Sequence, residues 1–384
     1  MSEYHRHAAL FGCIRGLYGG GTPLPLHVPF FGGNEKKYLA ECIDTTMVSS
    51  VGPFVDRFEA MMREITGARY AVATTNGTSA LHMALLLAGV SDGDEVITQP
   101  LTFVATCNAI SYQRAKPVFV DVDLLTLGLS PDALDAFLQV YCRRVGNDCV
   151  NAATGRRIAA VVPMHTFGHP ARIAEIVAVC DTWHLPVIED AAESLGSYSR
   201  GQHTGTFGKI GVFSFNGNKT VTCGGGGCLI TNDEAVGKRA KYLTTTAKVP
   251  HPWSFYHDEV GYNYRLPNIN AALACAQLEQ LDRFLGNKRE TAAAYAKSCL
   301  TNGIRYSTEP SGCTSNYWLN AIILDSQNER DSFLESAHEQ GIMVRPIWTL
   351  MNKLPMYSAA YHENISNAEW LEQRVVNLPS SYRR

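Results

Sequence analysis

The sequence predicts an α/β protein with a large, doubly wound and mostly parallel sheet domain, followed by a smaller C-terminal α+β domain. The first observation is that short apolar runs alternate with helical stretches along the first two thirds of the 384-residue chain. The runs have the length of strands and occupy residues 70–73, 95–98, 117–120, 158–163, 186–189, 211–215 and 228–231. Several are apolar at consecutive positions, which is typical of strands covered on both faces. Strand–helix alternation of this extent is typical of a parallel sheet between two helical layers.

The second observation is a change of pattern after about residue 265. Residues 270–285, rich in Ala and Leu, predict one long helix. The segments that follow predict a small α+β unit, namely 317–324, 329–340 and 342–345. We therefore expect a large domain over 51–265 and a small domain over 266–384.

Two segments do not fit the alternation of the large domain. Residues 1–50 are expected to pack against the smaller domain. Residues 139–154 are expected to form an irregular excursion on the surface.

The composition excludes several classes of function. A net charge of −3 provides no basic surface for nucleic acid and no polybasic membrane patch. No run approaches the roughly 18 apolar residues of a membrane span, and the N-terminus does not read as a secretory signal. The 11 cysteines are scattered without CxxC spacing, which argues against a metal site and favours a reducing cytoplasm.

The first segment that carries chemistry is Thr75-Asn76-Gly77-Thr78-Ser79-Ala80, between a predicted strand and an apolar helix. A helix N-terminus offers free N–H groups and a partial positive charge, so it can bind a phosphate. The hydroxyls of Thr78 and Ser79 can add donors. The segment is neither a Walker loop nor a G-x-G-x-x-G fingerprint. The alternative is an ordinary strand–helix turn with a threonine cap.

The second segment is Val187-Ile188-Glu189-Asp190-Ala191-Ala192-Glu193, in which Asp190 ends an apolar strand. Open α/β sheets bind ligands at the carboxyl ends of their strands. A carboxylate at that place can pair with a protonated pyridine nitrogen and strengthen a cofactor as an electron sink. The alternative is an aspartate that only caps a helix.

The third segment is Phe213-Ser214-Phe215-Asn216-Gly217-Asn218-Lys219, which precedes a run of glycines at 224–227. A lysine just past a buried strand is partly desolvated, and desolvation favours the neutral amine that forms a Schiff base with an aldehyde. The glycines allow a ligand to approach the backbone closely. The alternative is a surface lysine in a glycine-rich loop.

In their order along the chain, these segments resemble the DegT/StrS family of fold-type I, pyridoxal-phosphate-dependent sugar aminotransferases. The resemblance extends from about residue 29 to the end and rests on N-G-T-S-A-L at 76–81, G-D-E-V-I-T-x-x-L-T-F-V-A-T at 93–106, P-V-F-V-D-V-D at 117–123, V-I-E-D-A-A-E at 187–193, F-S-F-N-G-N-K at 213–219 and G-Y-N-Y-R-L-P-N at 261–268. The ordered set is specific, although each piece alone is not. Residues 213–227 are most similar to enzymes of bacillosamine and legionaminic-acid pathways, which aminate C4 of nucleotide-linked N-acetylated keto sugars.

The resemblance implies roles for residues around the cofactor. Lys219 would bond pyridoxal phosphate covalently, and Asp190 would pair with its pyridinium nitrogen. Glu193 would lie near the cofactor's 3-hydroxyl and the reacting sugar. The remaining predicted cofactor contacts are Gly77, Thr78, Ser79 and Ser214 at the phosphate, Phe103 against the ring, and Asn263 at the phosphate of a neighbouring subunit's cofactor.

The implied reaction transfers an amino group from L-glutamate to a nucleotide-linked keto sugar in a homodimer with shared sites. Candidate substrate-binding residues are His165, Lys248, Arg265 and Arg345, and a buried, satisfied histidine is an equal alternative for His165. Amination at C3 and a non-catalytic regulator stay open as rivals. A related dehydratase is disfavoured, because its family lysine is replaced by histidine whereas Lys219 is present here.

Overall fold

The computed structural model describes residues 3–384. Its α-helices are α1 (Glu3–Tyr18), α2 (Glu35–Asp44), α3 (Pro53–Thr66), α4 (Gly77–Leu87), α5 (Val104–Tyr112), α6 (Pro131–Tyr141), α7 (Ile173–Thr182), α8 (Glu234–Thr244), α9 (Asn268–Leu278), α10 (Leu281–Asn302), α11 (Gln327–Glu339) and α12 (Ser366–Glu372). Short 3-10 turns occupy Thr166–Gly168, Met351–Lys353 and Pro355–Tyr357.

The strands alternate with these helices in the first part of the chain and become short in the last part. They are β1 (Tyr70–Thr74), β2 (Glu95–Thr98), β3 (Lys116–Phe119), β4 (Cys142–Val145), β5 (Asp148–Asn151), β6 (Arg157–Val162), β7 (Ile188–Asp190), β8 (Tyr198–Ser199), β9 (Gln202–His203), β10 (Ile210–Ser214), β11 (Gly227–Thr231), β12 (Arg305–Tyr306), β13 (Cys313–Thr314), β14 (Asn320–Ile323), β15 (Arg345–Pro346), β16 (Tyr361–His362) and β17 (Val375–Leu378). Each strand predicted from the sequence corresponds to an observed one.

The large sheet has two segments, with strand orders β1-β11-β10-β7 and β16-β3-β2-β6-β5-β4. A parallel bridge between Val161 and Val187 joins β6 to β7 and makes the sheet continuous. The pairs β10–β7, β2–β6, β2–β3 and β3–β16 are parallel, whereas β11 runs antiparallel to both its neighbours. The prediction of a mostly parallel sheet is therefore confirmed.

Helices cover both faces of this sheet, as expected for strands whose residues are buried on both sides. On one face, Leu81 of α4, Ile110 of α5 and Leu243 of α8 pack in one core with the strands. On the other face, Phe137 of α6 and Ile176 of α7 pack against strand residues that point the opposite way. The doubly wound architecture follows directly from these two cores.

The expectation of an irregular excursion over 139–154 is wrong. This segment contains the hairpin β4–β5, which pairs with β6 and extends the edge of the sheet. Gly146 supplies the positive φ of the turn, at 63°. Asn151 anchors the hairpin, because its side-chain amide donates to the buried carboxylate of Glu95 at 2.9 Å.

The single long helix predicted over 270–285 is also wrong, because the chain forms α9 and α10 with a break at Glu279 and Gln280. Both side chains bond to residues outside their own helices. Glu279 accepts a hydrogen bond from the Tyr38 hydroxyl at 2.7 Å, and Gln280 donates to Glu35 at 2.8 Å. These contacts tie the break to α2.

The N-terminal and C-terminal parts of the chain meet in a third core, away from the large sheet. Leu10, Phe11 and Ile14 of α1 pack with Tyr295 of α10, Phe333 of α11 and the sheet β12-β14-β17-β15. By contrast, α2 packs against α9, and α9 shares a core with α3 and strands of the large sheet. The C-terminal strand β16 also joins the large sheet, beside β3. The division at residues 50 and 265 stays a prediction.

Candidate active site

A cavity of about 270 Å³ lies where β7 and β10 end, beside the N-terminus of α4. Because these strands are parallel neighbours, with Val212 paired to Asp190, their carboxyl ends meet at one edge of the sheet. The cavity brings together residues of all three predicted segments. Lining residues from these segments include Gly77, Thr78, Asp190, Glu193, Ser214 and Lys219, and Phe103 lines the cavity as well.

The N-terminus of α4 forms one wall of the cavity. Asn76 caps the helix, and its Oδ1 accepts a hydrogen bond from the Ser79 backbone N–H at 2.8 Å. A Cβ at position 77 would lie 2.9 Å from the Cβ of Ser214, so only glycine fits here without displacement. The other N–H groups of the first turn have no partner within the helix. With the Thr78 and Ser214 side chains they form a cradle suited to an anion.

Asp190 is buried, and both of its carboxylate oxygens are held. Oδ2 accepts a hydrogen bond from the Thr106 hydroxyl at 2.7 Å, and Oδ1 accepts one from the Ala192 backbone N–H at 3.2 Å. Thr106 lies in the first turn of α5. The carboxylate is therefore fixed in position, where it can bind a cationic group in the cavity.

Lys219 and Glu193 form an ion pair on the cavity wall. The Lys219 Nζ donates to Glu193 Oε1 at 3.1 Å, and the Phe167 backbone N–H donates to Oε2 at 2.9 Å. Burial raises the pKa of Glu193 to about 7, although the charge of Lys219 and the Phe167 N–H oppose the rise. This carboxyl can therefore exchange a proton near neutral pH.

The turn that presents the Phe167 N–H has an unusual backbone. Phe167 has φ 56°, in the left-handed region that non-glycine residues rarely adopt. Gly168 follows with φ 92°, and a Cβ there would lie 1.8 Å from the Asn316 Oδ1. A left-handed non-glycine residue costs of order 1–3 kcal/mol and persists where its surroundings enforce it. Here the bond to Glu193 is part of that enforcement.

Phe103 and the glycine run complete the cavity. Phe103 precedes α5 and remains 49% exposed, so one face of its ring is free for a ligand. At Gly227 a Cβ would lie 2.3 Å from the Asn76 carbonyl oxygen, and at Gly226 it would lie 2.4 Å from the Cys223 sulfur. The glycines thus let this strand end pack directly on the start of α4.

Comparison with known proteins identifies the family. The model of the DegT/DnrJ/EryC1/StrS aminotransferase family matches residues 30–383. The chain belongs to this family. It is 38% identical over 361 residues to the Bacillus subtilis (strain 168) protein named putative pyridoxal phosphate-dependent aminotransferase EpsN, covering 92% of this chain and 90% of that protein. It is also 38% identical over 357 residues to GDP-perosamine synthase of Escherichia coli O157:H7, covering 93% of each.

Solved structures agree with this assignment. The aminotransferase TlmJ from Streptoalloteichus hindustanus superimposes with a TM-score of 0.84 at 27% identity, covering 94% of each chain. Three predictions are therefore confirmed: the fold-type I architecture, the aminotransferase activity and pyridoxal phosphate as cofactor.

The cavity fits this cofactor group by group. Pyridoxal phosphate has a phosphate, a basic ring nitrogen and an aldehyde. The cavity offers an anion cradle in which residue 77 has no room for a side chain, a fixed buried carboxylate at Asp190, and a primary amine at Lys219. The predicted roles of these residues, and that of Phe103, are proposals carried by this fit. Ser79 is not among the residues that line the cavity, and its hydroxyl accepts a hydrogen bond from the Thr75 hydroxyl at 3.2 Å.

His165 does not line the cavity, although its neighbour Met164 does. The imidazole is fully buried, Nε2 faces Glu189 Oε2 at 3.0 Å, and Nδ1 accepts a hydrogen bond from the Ala171 N–H at 3.1 Å. Both ring nitrogens therefore have partners within the protein. The substrate-side prediction for His165 is wrong, and the alternative of a buried, satisfied histidine describes it.

The predicted cationic residues do not converge. Lys248 and Arg265 line a separate cleft of about 380 Å³, here called the second cleft, together with Ser50, Asp56 and Lys241. Arg345 lies on β15 in another surface depression, so within one chain the three candidate cations do not line a common cleft, and their roles in substrate binding stay a prediction. Asn263 is exposed, and its Oδ1 accepts a hydrogen bond from Arg265 at 3.0 Å.

Sequence reasoning missed two residues that contact the site. Thr106 lies within a segment that supported the family resemblance, but nothing in that segment indicated a bond to Asp190. Trp318 contacts Lys219 although it comes from the C-terminal part of the chain. A contact between residues so far apart in sequence leaves no local pattern.

Across residues 3–384, no helix combines the length and the apolar character that crossing a membrane requires. In the same described part of the chain, His, Cys, Asp and Glu side chains form no group of three or more that could hold a metal ion.

Proposed function

We propose that this aminotransferase moves an amino group from L-glutamate to C4 of a 4-keto-6-deoxy-N-acetylhexosamine linked to UDP or GDP, for surface sugars of the bacillosamine or legionaminic type. The proposed transamination rests on one observation. A single cavity is surrounded by Lys219, Glu193, Asp190 and the N-terminus of α4. The likeness of residues 213–227 to C4-aminating enzymes supports the position of the new amine. A relative named GDP-perosamine synthase supports a nucleotide-linked acceptor.

Pyridoxal phosphate, when bound, supplies an aldehyde that takes up the amino group and a conjugated ring that delocalises the electron pair left by proton removal. The chain supplies the rest. The α4 terminus, Thr78 and Ser214 would hold the phosphate, and Asp190 would stabilise positive charge at the ring nitrogen. These groups are fixed before the reaction begins, which is the arrangement that makes electrostatic stabilisation effective.

Lys219 moves the proton. With the cofactor bound, its Nζ would serve as general base and general acid, taking the α proton of glutamate and later returning a proton, and it would act in the reverse order with the sugar. Glu193 Oε1 keeps this nitrogen in place at 3.1 Å. Because the Glu193 pKa is about 7, the carboxyl also accepts or returns a proton during the exchange.

We further propose a cytoplasmic homodimer in which each chain completes its partner's site. Asn263, Lys248 and Arg265 lie outside the cofactor cavity of their own chain, and the Asn263 side chain is exposed. A closed two-fold dimer brings the same surface of both chains together, so such residues can reach the partner's cavity in pairs. The second cleft would then bind the diphosphate of the nucleotide sugar, since cations with several donors suit phosphate oxygens.

Subunit mixing tests the shared site. Lys219→Ala and Asn263→Ala chains should each be inactive as homodimers and should recover activity when they are unfolded together and refolded. Each mixed dimer then contains one site with both residues intact. Recovery to about a quarter of the wild-type activity is expected for random reassortment, because half of the dimers are mixed and each has one working site. No recovery, or full activity in a monomer at low concentration, would contradict the proposal.

An acceptor screen tests the substrate. The enzyme should be incubated with glutamate and with UDP- or GDP-linked 4-keto and 3-keto sugars, each with and without the N-acetyl group. Mass spectrometry of the nucleotide sugars should show a new amine only on 4-keto, N-acetylated acceptors. Amination of 3-keto sugars alone, or of simple keto acids alone, would refute the acceptor while leaving the cofactor assignment intact.

A further inference from the structure

The Lys219 amine contacts a second group besides Glu193, the indole of Trp318. The Nζ lies 3.9 Å from the centroid of the indole ring. Trp318 is only 4% exposed, so water competes little for the cation. Cation–π attraction is strongest with tryptophan and in such desolvated places. The amine is therefore held between a carboxylate oxygen and an aromatic face.

Every polar group of Trp318 has a partner that fixes the ring. The indole Nε1 donates to the carbonyl of Asn218, the residue before Lys219, at 2.7 Å. The backbone N–H donates to the Asn316 side chain at 2.8 Å. The carbonyl accepts a hydrogen bond from the Lys288 Nζ at 3.2 Å. The ring cannot turn away from Lys219 without breaking the bond to Asn218.

The two groups that hold the amine are also tied to each other. The Asn316 amide that accepts from Trp318 also donates to the Glu193 carbonyl at 2.8 Å. Lys288 is only 3% exposed and donates in addition to the Ser380 carbonyl at 2.8 Å. Asn316 and Lys288, which belong to none of the catalytic motifs, thus set the position of the Trp318 indole relative to Glu193.

We propose that Trp318 is a positioning residue for the reacting amine, whose π face holds the Lys219 ammonium beside Glu193 whenever that amine is not bonded to cofactor. The attraction acts on the ammonium and not on the neutral amine. This inference rests on the catalytic role of Lys219 in the proposed function. Trp318 lies outside the segments that surround the cofactor cavity, and its task is to hold the Lys219 amine in place between proton transfers.

Chemical labelling tests the contact without measuring activity. Full-length protein is freed of cofactor by dialysis against hydroxylamine and treated with a low concentration of acetic anhydride, which acylates only neutral amines. Peptide mass spectrometry then gives the labelling rate of Lys219 relative to Lys238, an exposed lysine paired with Glu234. Trp318→Leu should label Lys219 about tenfold faster than wild type, because a desolvated cation–π contact contributes roughly this factor. Trp318→Phe should lie between the two.

Trp370→Leu is the matched control. Trp370 also carries a cation–π contact, with Arg374 at 4.8 Å, but it does not touch Lys219, so labelling should match wild type. Should Trp318→Leu fail to fold, incorporation of fluorinated tryptophan into the wild-type chain keeps the indole shape and N–H while weakening the π face. Labelling of Lys219 should then accelerate with each added fluorine.

Three results would overturn the proposal: wild-type labelling in folded Trp318→Leu, equal labelling in the Leu and Phe variants, or no response to fluorination. Failure of the proposed function would be seen in a different experiment, borohydride reduction of the holoenzyme. In that case Lys219 would carry no reduced, covalently bound cofactor. The two failures are therefore distinguishable.

Discussion

The cofactor cavity and the second cleft differ in what holds their charged groups. In the cavity, Lys219 and both carboxylates have protein partners within hydrogen-bond distance, and most of those partners are buried. In the second cleft, the Lys248 Nζ lies 3.7 Å above the ring of Phe255, which is itself 80% exposed. The cavity is therefore arranged in advance for one chemical task, whereas the Lys248 ammonium of the cleft rests on an exposed ring and can adjust to a ligand. Substitutions should affect turnover in the first region and binding in the second.

The largest effect is expected for Lys219→Ala. Removing the amine eliminates both the covalent bond to the cofactor and the proton carrier, so turnover should fall by more than about 10⁴-fold. Lys219→Arg should not restore it, because a guanidinium stays protonated. Steady-state formation of the amino sugar measures the loss, with Lys238→Ala as the surface control. Turnover within a factor of ten of wild type would remove Lys219 from the mechanism.

Asp190→Asn should have the next largest effect. The side chain keeps its shape and its bond from Thr106 but loses the charge, so cofactor still binds while the barrier rises by about 2–4 kcal/mol. Rates with saturating pyridoxal phosphate separate weak binding from slow chemistry. Thr106→Val is a useful companion, because it releases the carboxylate without removing its charge and should cost less. An active Asp190→Asn enzyme would show that the cavity tolerates a neutral partner for the ring nitrogen.

Glu193 should impose a pH dependence. Its pKa is raised to about 7 by burial, so below that pH the carboxyl is neutral and no longer attracts the Lys219 ammonium. Activity should therefore fall as pH drops through about 7, which gives the profile of activity against pH an acidic limb. Glu193→Gln should be slower than wild type, and its profile should lack this limb. Burial also lowers the pKa of Lys288 to about 7, so Lys288→Met is the necessary control and should keep the limb. A limb that survives in Glu193→Gln would assign it to another group.

The smallest effects are expected in the second cleft. Lys248→Met and Arg265→Gln should each raise KM for the nucleotide sugar by about tenfold, because a charge-assisted hydrogen bond contributes roughly 1.5–3 kcal/mol, while kcat changes little. Arg345→Gln should leave both constants unchanged, since Arg345 lies on a different surface. A fall in kcat with constant KM in the cleft variants would contradict the division of tasks between the two regions.

The same division explains what could be predicted from the sequence. Asp190, Ser214 and the start of α4 stand at ends of regular elements, and the parallel sheet forces those ends together. Local pattern was therefore enough to predict the fold class, the strands and most of the cavity. Lys248, Arg265 and Arg345 stand outside that arrangement, so their residue types alone could not indicate which of them share a surface.

The predictions that the structure contradicts failed for a related physical reason, because contacts between distant segments decide the structure at those places. The hairpin β4–β5 depends on a bond between Asn151 and Glu95, and the break before α10 depends on bonds from Glu279 and Gln280 to the N-terminal region. The sequence offers His165 equally as a substrate-side residue or as a buried, satisfied histidine, and the structure shows Glu189 and the Ala171 N–H at its two ring nitrogens. Each outcome is decided by a contact between distant segments, which no local pattern records.

Borohydride reduction of the holoenzyme tests whether Lys219 is the residue that bonds pyridoxal phosphate. The reagent converts the bond between pyridoxal phosphate and a lysine into a stable secondary amine, which peptide mass spectrometry can locate. We expect one modified peptide, which contains Lys219, and we expect this modification to be lost when glutamate is added before reduction. A modification on any other lysine, or none on Lys219 in cofactor-loaded protein, would contradict it.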